Sequence, residues 1–89
     1  MQECSVTIIN KLGLHARAAS KFVNVAKRYE SKIEVGTGAK TVDGKSIMSI
    51  MLLAASQGTE LKLRIVGDDE LDALQAITAL IADRFGEGE

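Results

Sequence analysis

The sequence predicts an α/β chain of the α+β kind: a two-layer sandwich in the order β-α-β-β-α-β-α, with its helices on one face of the sheet. Three observations predict it. Glu60-Leu61-Lys62-Leu63-Arg64-Ile65 alternates charged and apolar residues without a fault, the pattern of a strand buried on one face and wet on the other. Ala19, Phe22, Val23 and Ala26 recur at intervals of three and four, which is one stripe of an amphipathic helix. Leu71, Leu74, Ile77 and Ile81 repeat that spacing near the C-terminus. A sheet with one charged face implies antiparallel or mixed pairing, with both long helices packed on the other face.

Element by element, Ser5–Ile9 is expected as the first strand, with Val6 and Ile8 on one face and β-branched residues throughout. Asn10-Lys11-Leu12-Gly13-Leu14 breaks it, and a helix runs from Ala16 to about Tyr29. Ile33 and Val35 alternate with Lys32 and Glu34; after Gly36-Thr37-Gly38, Lys40-Thr41-Val42 completes a hairpin before Asp43-Gly44. Ser46 then opens a short helix to about Ala55, in which Ile47, Met48, Ile50, Met51, Leu52 and Leu53 are all apolar. That is too apolar on every side for an ordinary surface helix. The alternating strand at Glu60–Ile65 follows. Asp68-Asp69-Glu70 places acids where a helix N-terminus favours them, and Gly86 is expected to end the last helix.

Composition bounds what such a chain can do. Eighty-nine residues suffice for one domain, residues 1–89, and 46% hydrophobic with 26% charged residues exclude a disordered or fibrous chain. No apolar run approaches the roughly 18 to 20 residues of a membrane span, and Met1-Gln2-Glu3-Cys4 lacks the basic and apolar regions of a signal peptide. The expected location is the cytoplasm, without membrane insertion. One cysteine, Cys4, cannot close an internal disulfide or make a metal site, and no cofactor is expected. With no Trp and one Tyr there is no platform for stacking bases, so nucleic acid is not an expected partner. The net charge of −1 divides into +4 over Met1–Lys45 and −5 over Ser46–Glu89, and the basic first half suits an anion or an acidic partner surface.

The chemistry concentrates at His15, the only histidine. It stands where the Gly13 loop meets the first helix, whose leading N–H groups lack intrahelical partners and whose peptide dipoles place partial positive charge there. A protonated imidazole is disfavoured at that position, so the ring is expected neutral, with a free nitrogen as nucleophile near pH 7. An anion delivered to the ring would meet backbone donors of Ala16 and Arg17, and the Arg17 guanidinium can fold back to bind it bidentately. These groups together suit a site for a phosphoryl group on imidazole; read singly, His15 is also explained as a local helix cap and Arg17 as a solvated surface charge. No carboxylate within a few residues can act as a base, and no P-loop or metal cluster is present, so the phosphate must come from a partner.

The run Gly13-Leu14-His15-Ala16-Arg17-Ala18-Ala19 resembles the active-site motif of the HPr family, the histidine-containing phosphocarriers of the bacterial phosphoenolpyruvate-dependent phosphotransferase system. Lys45-Ser46-Ile47-Met48-Ser49-Ile50-Met51 resembles that family's regulatory serine motif. The resemblance implies an open-faced sandwich on a four-stranded, mostly antiparallel sheet of order 1-4-2-3. It implies that His15 accepts phosphate on Nδ1 from phosphorylated enzyme I and passes it to a IIA-type sugar permease or regulatory component. Arg17 would hold the phosphoryl group, and Ser46 would be the target of an HPr kinase/phosphorylase where one exists. Such a carrier is not an enzyme in its own right, and it is expected to be a monomer.

Two further expectations are physical. Ser46 at a helix start is explained as an N-cap, and a phosphate there would favour the helix while repelling an acidic partner. If Ile50 and Leu53 face the sheet, Ile47, Met48 and Met51 are left partly exposed as a docking patch, with Lys27, Lys40 and Lys45 as a basic rim. Ala16 stands where many relatives carry a hydroxyl, and Ala18 where sugar-transport members have Pro. These departures keep open, as the alternative, a purely regulatory partner-binding module of a nitrogen-related or carbon-control branch.

Overall fold

A computed structural model of the chain describes residues 1–38 and 40–88. Its elements are β1 (Gln2–Thr7), α1 (Ala16–Ala26), β2 (Lys32–Thr37), β3 (Lys40–Asp43), α2 (Ile47–Leu52), β4 (Glu60–Val66) and α3 (Glu70–Ala82), followed by a 3-10 turn at Arg84–Gly86. The strands form a four-stranded sheet in the order β1-β4-β2-β3, antiparallel at each pairing. This is the open-faced α/β sandwich expected above.

The last strand in sequence lies inside the sheet, so its alternation organises the core. Leu61, Leu63 and Ile65 are buried, opposite Val6 and Cys4 of β1 and beside Ile33 and Val35 of β2. On the other face Arg64 stands between Glu3 and Glu34, an opposite-charge arrangement that suits a solvated surface. Over the apolar face α1 buries Ala18, Ala19, Phe22, Val23 and Ala26, and α3 buries Ala73, Ile77 and Ile81. Phe22 is fully enclosed, and truncating a side chain of that size in a core costs about 3–5 kcal/mol.

Several element limits differ from those read in the sequence, each through a contact that local pattern does not carry. The first strand is Gln2–Thr7 rather than Ser5–Ile9, because Gln2 pairs with Ile65, whereas Ile8 leaves the ladder to bond with the loop at Thr59 and Gly58 and Ile9 turns outward. α1 ends at Ala26, not Tyr29, as Arg28 and Tyr29 make i−3 bonds to Val25 and Ala26. α2 ends at Leu52, not Ala55; Ala54 is left-handed at φ 51°. Leu71 does not belong to the buried stripe of α3: it is exposed, and Ala73 takes its place, so the stripe runs Ala73, Ile77, Ile81. That helix closes at Ala82, ahead of Gly86, and the chain continues through left-handed Arg84 and Phe85, with Phe85 buried.

Asp69, at the start of α3, serves another element. Its carboxylate accepts the backbone N–H groups of Glu30 and Ser31, at 2.8 and 3.0 Å, and the Ser31 hydroxyl. The Ser31 hydroxyl and then the Glu30 amide hold its carboxyl below the ordinary range. Among the described residues no helix is long and apolar enough to cross a membrane.

Candidate functional site

His15 is the N-cap of α1. Its backbone is extended (φ −74°, ψ 179°), and its ring Nδ1 accepts the Arg17 N–H at 3.3 Å. The first intrahelical bond runs from Ala19 N to His15 O at 2.8 Å, so the amides of Ala16, Arg17 and Ala18 precede it and sit at the positive end of the helix. The ring lies in the surface with its side chain 27% exposed, neither packed in the core nor aimed away from these amides.

The loop before it is seated by Gly13. Leu14 N donates to Ala55 O at 2.8 Å, which draws the loop against the segment after α2. A Cβ on Gly13 would stand 2.4 Å from that same carbonyl, and the residue has φ 67°, so glycine is required twice over. The loop that carries His15 is therefore held by a backbone contact to the segment after α2, and His15 itself by its own helix.

Glu87 is the residue that sequence reasoning missed. Its Oε2 contacts His15 Nε2, and its Oε1 accepts from Asn10 Nδ2 at 2.8 Å. The sequence offers no carboxylate within a few residues of the ring, and that holds; the fold supplies one from 72 positions away. No motif announces it; the left-handed turn at Arg84–Gly86 brings the C-terminal segment back over the loop. Desolvation pushes the Glu87 carboxyl up, but the hydrogen bonds from Asn10 and His15 and nearby positive charge, Lys21 included, outweigh it, leaving it below the ordinary carboxylate range.

The two contacts assign the ring's tautomer. A carboxylate on Nε2 requires the proton there, and an incoming N–H at Nδ1 requires a lone pair there. The nitrogen that carries the lone pair is thus the one that faces the helix N-terminus. Beside it Lys11, Leu12, Arg17, Gly86 and Glu87 line a depression of about 250 Å³, which places Arg17 on the same surface hollow as the carboxylate touching His15. Among the described residues no group of three His, Cys, Asp or Glu is placed to hold a metal.

Ser46 is the N-cap of α2, its Oγ accepting from Ser49 N at 3.3 Å. On that helix Ile50 and Leu53 are buried, and Ile47, Met48 and Met51 are exposed. Leu52 and Leu12, which sequence reasoning had not assigned to the patch, are exposed as well. Lys27 is the C-cap of α1 and exposed. Lys45 differs from a free rim charge: its ammonium donates to Tyr29 O at 2.7 Å, and Lys40 reaches Leu52 O at 3.5 Å.

Residues 2–83 match the family model described as the PTS HPr component phosphorylation site. The phosphocarrier protein HPr of Pseudomonas aeruginosa is 56% identical, with all of both chains covered. The crystal structure of HPr from Thermoanaerobacter tengcongensis superposes with a TM-score of 0.95 at 48% identity, covering 98% of each chain. A solved dimer of HPr from the same organism gives 0.79, again at 48% identity, covering 98% of this chain and 100% of that one.

Proposed function

This chain belongs to the HPr family, the phosphocarriers of the phosphotransferase system, and from that premise we propose that it carries phosphate on His15 Nδ1. The donor is phosphorylated enzyme I, and the acceptors are IIA-type components of sugar permeases or their regulatory counterparts. One observation carries the assignment of the atom: Nδ1 holds a lone pair against the amides of a helix start while Nε2 is engaged by Glu87.

In the loading step the Nδ1 lone pair attacks phosphorus, the bond from phosphorus to the donor breaks, and its electron pair leaves with the donor. The Arg17 amide passes from Nδ1 to a phosphoryl oxygen, the Ala16 amide and the Arg17 guanidinium supply further donors, and developing negative charge meets the helix dipole. The proton stays on Nε2, so the phosphorylated ring is a cation balanced by the Glu87 carboxylate. When the acceptor takes the phosphoryl group, the N–P electron pair returns to Nδ1 and the ring leaves as neutral imidazole rather than as an unstable anion.

Ile47, Met48 and Met51, extended by the exposed Leu12 and Leu52, form the docking surface, with Lys27 and Lys45 supplying positive charge for acidic partners. Ser46 borders that surface in sequence, so a phosphate placed on it by an HPr kinase/phosphorylase would repel the same partners without a change of shape. The carrier works as a monomer, which sedimentation equilibrium tests against a dimer.

Incubation with phosphoenolpyruvate and enzyme I, followed by mass and acid-lability analysis, tests the central assignment. A single acid-labile phosphoryl group on His15 is expected; an acid-stable product, or label on another residue, would overturn it.

A further inference from the structure

We propose that Asn10 is a positioning residue for phosphoryl transfer, acting through Glu87 to hold the proton on His15 Nε2 and the lone pair on Nδ1. The inference rests on His15 as the phosphoryl site and adds to it a residue that neither touches phosphate nor belongs to the motif around it.

Asn10 is fully buried, an unusual place for an amide. Its Nδ2 donates to Gly13 O at 2.8 Å and to Glu87 Oε1 at 2.8 Å. Both partners are acceptors, so the nitrogen must face them and the orientation of the amide is settled. Its Oδ1 meets no donor among the described residues. A side chain kept only to fill space would be apolar here, since an amide whose oxygen is unsatisfied weakens the fold. Both of its hydrogens are instead spent on the site: one fixes the loop that carries His15, the other fixes the carboxylate that touches the ring. The remaining Glu87 oxygen is thereby aimed at Nε2. A hydrogen bond at one ring nitrogen decides which nitrogen carries the proton, so control of Glu87 is control of the nucleophile.

The test compares Asn10→Ala, Glu87→Ala and the double variant with the parent chain, reading imidazole tautomer populations by ¹⁵N NMR and the transfer rate from phosphorylated enzyme I. Asn10→Ala should move the ring from the Nε2–H form toward a mixture and slow transfer about tenfold, the worth of one hydrogen bond to a charged group. Little further loss is expected when Glu87→Ala is added, because the two act in series. An unchanged tautomer, or the same loss whether or not Glu87 is present, overturns the proposal. Should Asn10→Ala fail to fold, Glu87→Ala alone decides, since it leaves the buried amide in place: unchanged ¹⁵N shifts there also overturn it. Absence of phosphate on His15 in the parent chain would refute the carrier assignment instead, and the NMR readout is independent of that result.

Discussion

At the start of α1, His15 Nδ1 accepts a backbone N–H at 3.3 Å; at the start of α2, Ser46 Oγ accepts one at the same distance. As caps the two are alike, each satisfying a donor that the helix cannot. They differ in what surrounds the capping atom. The His15 ring has a second polar atom, and that atom is held by Glu87, which is held in turn by Asn10. α1 is also 11 residues long against 6 for α2, and it carries Arg17 at its second position. The comparison teaches that a capping group gripped on its far side has its protons assigned, which suits it to the reaction proposed for His15. A cap gripped only by its own helix remains a cap, open to modification from outside.

His15→Ala should break the comparison most completely. It abolishes acid-labile phosphorylation while costing the fold only about 1 kcal/mol for the lost cap, so urea unfolding should remain cooperative. Detectable transfer in that variant would end the assignment. Arg17→Ala comes next: removing a preorganised donor from a developing anion should slow transfer on the order of 10²-fold with the chain still folded, as measured by rapid quench. Arg17→Lys should recover only part of the loss, because a point charge does not match the bidentate fork.

Ser46→Asp sharpens the contrast from the other side. The added charge should raise KM for enzyme I about tenfold, through like-charge repulsion at the docking surface, with little change in the first-order transfer step. The effect should shrink at high ionic strength. A lowered transfer step with unchanged KM would mean that Ser46 acts on the His15 site directly.

The smallest effect concerns Glu87 and pH. Its folded-state carboxyl is held below the ordinary value, with Asn10, His15 and Lys21 facing it and Lys11 and Arg17 lining the same hollow. A depressed carboxyl contributes stability that is present above its unfolded value, about 4.3, and lost as pH falls through the lower folded value. Glu87→Gln should therefore be less stable than the parent at neutral pH and indistinguishable from it in acid. A difference that persists to about pH 2 in urea titrations would show that the carboxylate charge is not the source.

Much of the fold was legible because periodicity records burial directly. The strand at Leu61, Leu63 and Ile65 and the stripe at Ala19, Phe22, Val23 and Ala26 are buried as their spacing requires. Leu71 was misread because a leucine at the right interval is indistinguishable in sequence from one that faces solvent; the packing of α3 buries Ala73 instead. The position of His15 at a helix start was likewise local information, carried by the glycine before it and the helical stripe after it.

Local sequence thus determined the elements, the cap and the cluster of donors at α1, since each depends on residues within a few positions of one another. Tertiary structure alone decided that Gln2 extends β1, that Asp69 staples the start of β2, and that Glu87, held by buried Asn10, reaches His15. Contacts over 38 to 77 positions leave no periodic trace in a chain. They exist only once the core has closed and brought its ends to the same surface.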